Sequence, residues 1–149
     1  MPINLFPSTC PNPITALSFD YGTERIGVAF GQSISATAKA VAVLDAKNGV
    51  PDWGQVKKLL EEWKPDCCVV GLPYNMDGSS SELLNRAIKF ANRVSGRFKI
   101  NCYGIDERLS SKAAINQIIN SQESRKKKPI DGVAAQIILE SWFNEYNLQ

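Results

Sequence analysis

Cys67-Cys68-Val69-Val70-Gly71-Leu72 is an unbroken apolar run with β-branched residues, about the length of one strand. A strand with no polar alternation has to be covered on both faces, which calls for a parallel or mixed sheet with helices above and below it. The 149 residues are enough for one such domain and too few for a second.

Around this run the sequence reads as strands first, then as alternating strands and helices. Ile14–Phe19 is short and apolar and ends at Asp20-Tyr21-Gly22, a strand running into a turn. Arg25–Gly31 alternates Ile26, Val28 and Phe30 with smaller residues, and the brief connection predicts an antiparallel hairpin with the first strand. A third strand is expected within Ala36–Leu44. Pro51-Asp52-Trp53 reads as a helix start, since proline is tolerated in a first helical turn. Trp53, Val56, Leu60 and Trp63 recur at helical spacing, and Pro65 ends that helix. Beyond the apolar run the pattern predicts a helix from about Ser80 to Ser95 and a strand at Ile100–Ile105. Helices from about Ser110 to Ser121 and from about Ile130 to Tyr146 complete the chain.

The expected order, β-β-β-α-β-α-β-α-α, describes an α/β fold. Its mixed five-stranded sheet is antiparallel in the first three strands, continues through parallel βαβ crossovers, and carries helices on both faces. Residues 1–13, with Pro2, Pro7, Pro11 and Pro13, read as an irregular N-terminal arm, and residues 14–149 as the single domain. The start of the sequence lacks the basic and apolar segments of a signal peptide, and no apolar run approaches the roughly 18 residues of a membrane span. A cytoplasmic protein with no membrane partner is therefore expected.

Chemistry is narrowed most by what is missing. The sequence contains no histidine, which removes the Ser-His-Asp triad, the Cys-His dyad and the H-E-x-x-H zinc site together. The four cysteines form no Cys-x-x-Cys pair, so zinc fingers and thioredoxin-like motifs are not expected, and Cys67 and Cys68 read as buried reduced thiols. Acid–base work is left to carboxylates, lysine, tyrosine or a metal-bound water.

Carboxylates fall where an open α/β sheet gathers its ligands, at the carboxyl ends of strands. Asp20 ends the first strand, Asp106 and Glu107 end the last, and Asp131 starts the final helix. Taken singly, each has a plainer use. Asp20 could shape a turn, Glu107 could pair with Arg25 or Arg108, and Asp131 could favour the N-terminal end of a helix dipole. Together they suit a hard divalent cation, Mg2+ or Mn2+, because confined carboxylates repel unless protonated or bound to a cation.

Four segments in register carry a resemblance to a known family. Asp20-Tyr21-Gly22-Thr23-Glu24-Arg25-Ile26-Gly27-Val28-Ala29, Val70-Gly71-Leu72-Pro73-Tyr74-Asn75-Met76-Asp77-Gly78, Asp106-Glu107-Arg108-Leu109-Ser110 and Asp131-Gly132-Val133-Ala134-Ala135 closely resemble the YqgF/RuvX family. The match covers nearly all of the chain from about Ile14. The resemblance implies an RNase H-like fold, which agrees with the strand order. Members are described as Holliday junction resolvases and as nucleases that process the 5′ end of pre-16S rRNA. By motif, Asp20, Glu107 and Asp131 stand where the family's catalytic, metal-binding acids stand. Asp106 is expected to point to the other face if the strand continues, because successive side chains alternate. Gly132 departs from the serine that the family often has after its final aspartate, and the arm before Ile14 has no counterpart in the motifs.

Candidate substrate-binding residues surround these acids. Arg125-Lys126-Lys127-Lys128, directly before Asp131, could grip phosphates, or could be a solvated loop. Asn75 and Asp77 lie in a loop bracketed by Pro73 and Gly78 at the carboxyl edge, and Arg25 and Arg108 could contact phosphate or hold an acid. On the helix from Ser80, Arg86, Lys89, Arg93 and Arg97 form one stripe, which reads first as a solvated helix face.

The expected function is a metal-dependent nuclease acting on structured RNA, foremost the 5′ end of pre-16S rRNA, with branched DNA as the alternative. A resolvase needs a homodimer with paired sites, whereas an RNA-trimming enzyme can act as a monomer. Two other classes compete. Asp20-Tyr21-Gly22-Thr23 resembles the first phosphate loop of actin-like and sugar kinases, but those enclose ATP between two domains, which this length cannot hold. A non-catalytic RNA-binding factor on the same fold would be expected to have lost one of the three acids, and all are intact.

Overall fold

The computed structural model of the chain describes residues 3–75, 77–108 and 131–149, with Asp131 described for its backbone alone. The helix expected at about Ser110–Ser121 and the basic run Arg125–Lys128 lie outside the described residues. The strands are β1 (Thr15–Asp20), β2 (Arg25–Gln32), β3 (Thr37–Lys47), β4 (Val50–Pro51), β5 (Cys67–Leu72) and β6 (Cys102–Asp106). The helices are α1 (Trp53–Trp63), α2 (Glu82–Phe98) and α3 (Asp131–Tyr146).

The strands form one mixed sheet in the order β4-β3-β2-β1-β5-β6. Pairing is antiparallel from β4 to β1 and parallel from β1 through β5 to β6. Every residue of β5 is buried, as an uninterrupted apolar strand requires. Side chains alternate between two cores. Leu17, Phe19, Val28, Cys68 and Val70 pack with Val56 and Leu59 of α1 and Ala87, Phe90 and Val94 of α2. Ala16, Cys67, Val69 and Ile105 pack with Ile138, Leu139, Trp142 and Phe143 of α3. Helices therefore cover both faces, α1 and α2 on one and α3 on the other.

The sheet has six strands rather than the expected five, and the extra one corrects the reading of Pro51. Asn48 and Gly49 have φ of 50° and 83°, the two left-handed positions of a tight primed turn, which folds Val50–Pro51 back onto Ala46–Lys47. Pro51 ends this edge strand, where its missing N–H is tolerated. Asp52 caps α1 instead, its Oδ1 accepting from the Gly54 N–H at 2.9 Å. Asn-Gly is a strong short hairpin signal, and the sequence reading passed over it. The third strand also outruns its expected end, because its final residues pair with β4. Ser81 Oγ accepts from the Leu84 N–H at 3.0 Å, so α2 starts after Ser81 and runs to Phe98.

Residues 3–13 lie against the far side of the sheet. The Gly104 N–H of β6 donates to the Asn4 carbonyl at 3.0 Å, and Trp142 Nε1 donates to the Leu5 carbonyl at 2.9 Å. Phe6 stacks on Trp142 with ring centroids 5.7 Å apart, and the Tyr146 hydroxyl donates to the Pro11 carbonyl. The arm thus covers the open edge of β6 and tops the aromatic cluster of α3.

Trp142 is fully buried and also stacks with Tyr146 and Tyr103. Trp142→Ala is expected to cost about 3–5 kcal/mol in urea unfolding, because it leaves a cavity and removes the donor that holds Leu5. Burial pushes the Cys67 thiol up to about 12 and raises that of Cys68, whose hydrogen bond with Cys102 has the larger effect. At about pH 8 a thiol reagent should leave both unmodified until the protein is unfolded, and reaction of either in the folded protein would contradict this burial.

Candidate active site

The strands β1, β5 and β6 run parallel, so their carboxyl ends meet at one edge, and each brings a different piece of the site there. Asp20 is the last residue of β1 and pairs with Gly27 of β2. Two residues earlier, the buried Ser18 hydroxyl donates to the Ala135 carbonyl of α3 at 2.8 Å, so Ser18 points to the α3 face. By the two-residue period of the strand, Asp20 points to that face too.

Glu107 follows the end of β6 and keeps the ladder going, its N–H donating to the Leu72 carbonyl at 3.0 Å. Its side chain is buried, and it lies over Gly71. A methyl group placed on Gly71 would lie 2.9 Å from Ile138 Cδ1, 3.0 Å from Glu107 Cγ and 3.1 Å from Glu107 Oε2. Gly71 is thus the floor on which the carboxylate rests, with α3 as its wall. Because Phe19 pairs with Val70, Asp20 comes beside Gly71 one step further along. Asp20 and Glu107 therefore flank one glycine on the α3 face of the sheet edge.

The backbone of Asp131 begins α3, the helix that packs on this face. Gly132 brings that end close to β3, since a methyl group there would lie 3.1 Å from Ala40 Cβ. The departure from serine at this position coincides with a tight helix–sheet approach.

Asp106 is separated from this group, in line with strand alternation. Its carboxylate takes the Arg108 guanidinium in a fork, from Nη2 at 2.7 Å and from Nε at 3.1 and 3.2 Å, and it also accepts the Arg108 N–H at 2.9 Å. The hydrogen bonds from Arg108 hold the Asp106 carboxyl below its ordinary range, and Asp106 in turn raises Arg108. Arg108 also lies 5.5 Å from the centre of the Tyr74 ring and close to Gly78. It therefore ties the end of β6 to the loop after β5.

That loop is shaped mainly from within. Asp77 Oδ1 accepts from the Ser79 hydroxyl at 2.6 Å and the Ser79 N–H at 2.9 Å, and these bonds hold its carboxyl below the ordinary range. The Asn75 side-chain amide donates to Ser79 Oγ at 3.0 Å and to the Ser80 carbonyl at 3.2 Å. Asn75 and Asp77 build the loop, and its outer surface is what could meet a substrate. Arg25 begins β2 on the α3 face, two residues from Gly27, and is exposed and paired across the sheet with Asp45.

Sequence reasoning passed over Gly71 and Ser18. Each had a signal: a glycine inside a buried strand marks a close approach, and a lone hydroxyl in an apolar strand needs a partner. The donor set fits a hard divalent cation, since a buried carboxylate and a half-buried one share a face with no thiol or imidazole beside them.

A family model described as "RuvX: Holliday junction resolvase" matches residues 14–145. The chain is 52% identical over 132 residues to a protein of Haemophilus influenzae strain PittGG named "Putative pre-16S rRNA nuclease", covering 87% of this chain and 95% of that one. A Mannheimia succiniciproducens protein of the same name is 48% identical over 136 residues, covering 90% and 97%. Among solved structures, "T. thermophilus RuvC in complex with Holliday junction substrate" superposes with a TM-score of 0.57 at 12% identity, covering 89% of this chain and 95% of that one. The yeast mitochondrial Holliday junction resolvase Ydc2 gives 0.53 at 12% identity, covering 96% and 81%. The structural likenesses establish a shared RNase H-like fold.

Gly71→Ala is expected to displace Glu107 or Ile138 and to destabilise the protein by about 1–3 kcal/mol, as overpacking does. A thermal melt should show that loss. Any activity carried by Glu107 should fall further than in an equally destabilised variant remote from the sheet edge.

Proposed function

The chain belongs to the RuvX family, and from that premise we propose that it is a metal-dependent nuclease acting in the cytoplasm on the 5′ end of pre-16S rRNA. The observation that carries this reading is the convergence of Asp20 and the buried Glu107 on either side of Gly71, under the helix that begins with Asp131. Ribosomal RNA is favoured over a DNA junction because relatives about half identical over nearly their whole length bear the rRNA nuclease name. The Holliday junction resolvases share only the fold. Junction cleavage remains the second reading, favoured by the description of the family, and would require two copies of the chain.

In this reading Asp20, Glu107 and Asp131 hold a divalent cation, Mg2+ or Mn2+. A bound cation of this kind polarises the phosphodiester and makes an attacking water more acidic, which suits a chain that has no histidine. Gly71 and Ile138 fix the Glu107 carboxylate and shield one side of it from water. Arg25, exposed on the same face, is placed to meet a phosphate, and the run Arg125, Lys126, Lys127 and Lys128 would add further phosphate contacts. Arg108 acts through the loop that it anchors, together with Asn75 and Asp77.

The test is cleavage of a pre-16S rRNA 5′-leader fragment and of a four-way DNA junction, side by side, in magnesium, manganese or EDTA. Metal-dependent cutting of the RNA is expected. It should fall on the order of 100-fold or more in Asp20→Asn and in Glu107→Gln, since loss of even an outer-shell partner costs about 10–100-fold. Asp106→Asn, on the opposite face, should lose much less. Selective cutting of the junction would establish the second reading. Binding without cutting of either substrate would overturn both and leave an RNA-binding factor.

A further inference from the structure

The α2 side of the same sheet edge carries a polar concavity of about 230 Å3 between α2 and the β3–β4 turn. Arg86, Lys89 and Arg93 line it, with Tyr21, Asn48 and Trp53, and among the described residues no acidic side chain does. The cavity is built rather than incidental. The Tyr21 hydroxyl donates to the Gly49 carbonyl at 3.0 Å, and Arg86 Nη1 donates to Asn48 Oδ1 at 3.1 Å, so two lining residues clamp the left-handed turn. Arg86 is also partly met by Glu82 at 3.6 Å. Lys89 and Arg93 are exposed and, among the described residues, form no ion pair.

Its position relates it to the acids. Tyr21 packs into the α1–α2 core, whereas Asp20, the preceding residue, points to the α3 face. Consecutive Cα atoms are about 3.8 Å apart. The acids and the basic concavity thus lie on the two sides of the end of β1.

We propose that this concavity binds an internal backbone phosphate of a nucleic-acid strand that crosses the end of β1, flanking the phosphate held at the acids. Lys89 and Arg93 make the contacts, and Arg86 with Tyr21 holds the turn that completes the wall. The site rests on the nuclease reading for its substrate, but its test does not depend on cleavage.

Binding of a fluorescein-labelled single-stranded RNA is measured by anisotropy across a salt series, in EDTA, with the full chain. For single strands the slope of log K against log salt changes by about 0.7 per phosphate contact. Because both side chains meet one phosphate, the double variant Lys89→Gln/Arg93→Gln should be shallower than wild type by about 0.7 and bind more weakly. A control with the same charge loss on α1, Lys57→Gln/Lys58→Gln, should keep the wild-type slope, and circular dichroism should show both variants folded. Equal loss of slope with 5′-hydroxyl and 5′-phosphate RNA supports an internal phosphate, and loss with the 5′-phosphate form alone overturns it. An unchanged slope in the double variant, or an equal change in the control, overturns the site while leaving the nuclease reading intact. The expected slope change in a protein that cuts no substrate would keep the site and remove the nuclease reading.

Discussion

The parallel contact between β1 and β5 is the constraint on which the other elements depend. Both strands lie inside the sheet, and their side chains feed two cores rather than one. One core is closed by α1 and α2 and the other by α3, so the final helix must return to the strand that opens the fold. The Ser18–Ala135 hydrogen bond fixes that return in a place where a misaligned helix would leave a buried hydroxyl without a partner. Positioning the start of α3, and hence Asp131, follows from packing the core.

The same geometry sorts the acids. Asp106 and Glu107 are neighbours in sequence but serve different ends, because a strand turns successive side chains to opposite faces. Asp106 is engaged by Arg108 and stabilises the loop beyond β5. Glu107 is buried over Gly71 beside Ile138, where the cost of desolvating a carboxylate is high unless something positive meets it. In the proposed reading, a bound cation would lower that cost.

Much of this was readable in the sequence, for reasons particular to each element. The run Cys67–Leu72 announced a doubly covered strand, and the carboxyl-edge positions of Asp20 and Glu107 followed from the strand order. The motifs led to the RNase H-like fold that the structural comparisons share. Less legible were features set by contacts between distant residues. The turn at Asn48-Gly49 carried a clear local signal, yet Pro51 beside it suggested a helix start, and only the pairing with Ala46 and Lys47 decides between them. The basic stripe on α2 looked like an ordinary solvated face, because nothing in the local pattern shows that the β3–β4 turn stands opposite and makes it concave. The role of Gly71 likewise depends on Glu107, 36 positions away in the chain (107 − 71).

The N-terminal arm bears on how copies of this chain could meet. A sheet can join another sheet only through an unpaired outer strand. Here one outer strand is two residues long and ends in proline, and the other already gives its Gly104 N–H to the Asn4 carbonyl. At the β6 margin the arm takes up a backbone donor, whereas at the other margin β4 pairs only with Ala46 and Lys47 of the longer β3. Among the described residues, a strand added at β6 would have to displace the arm, whereas one added beside β3 would not.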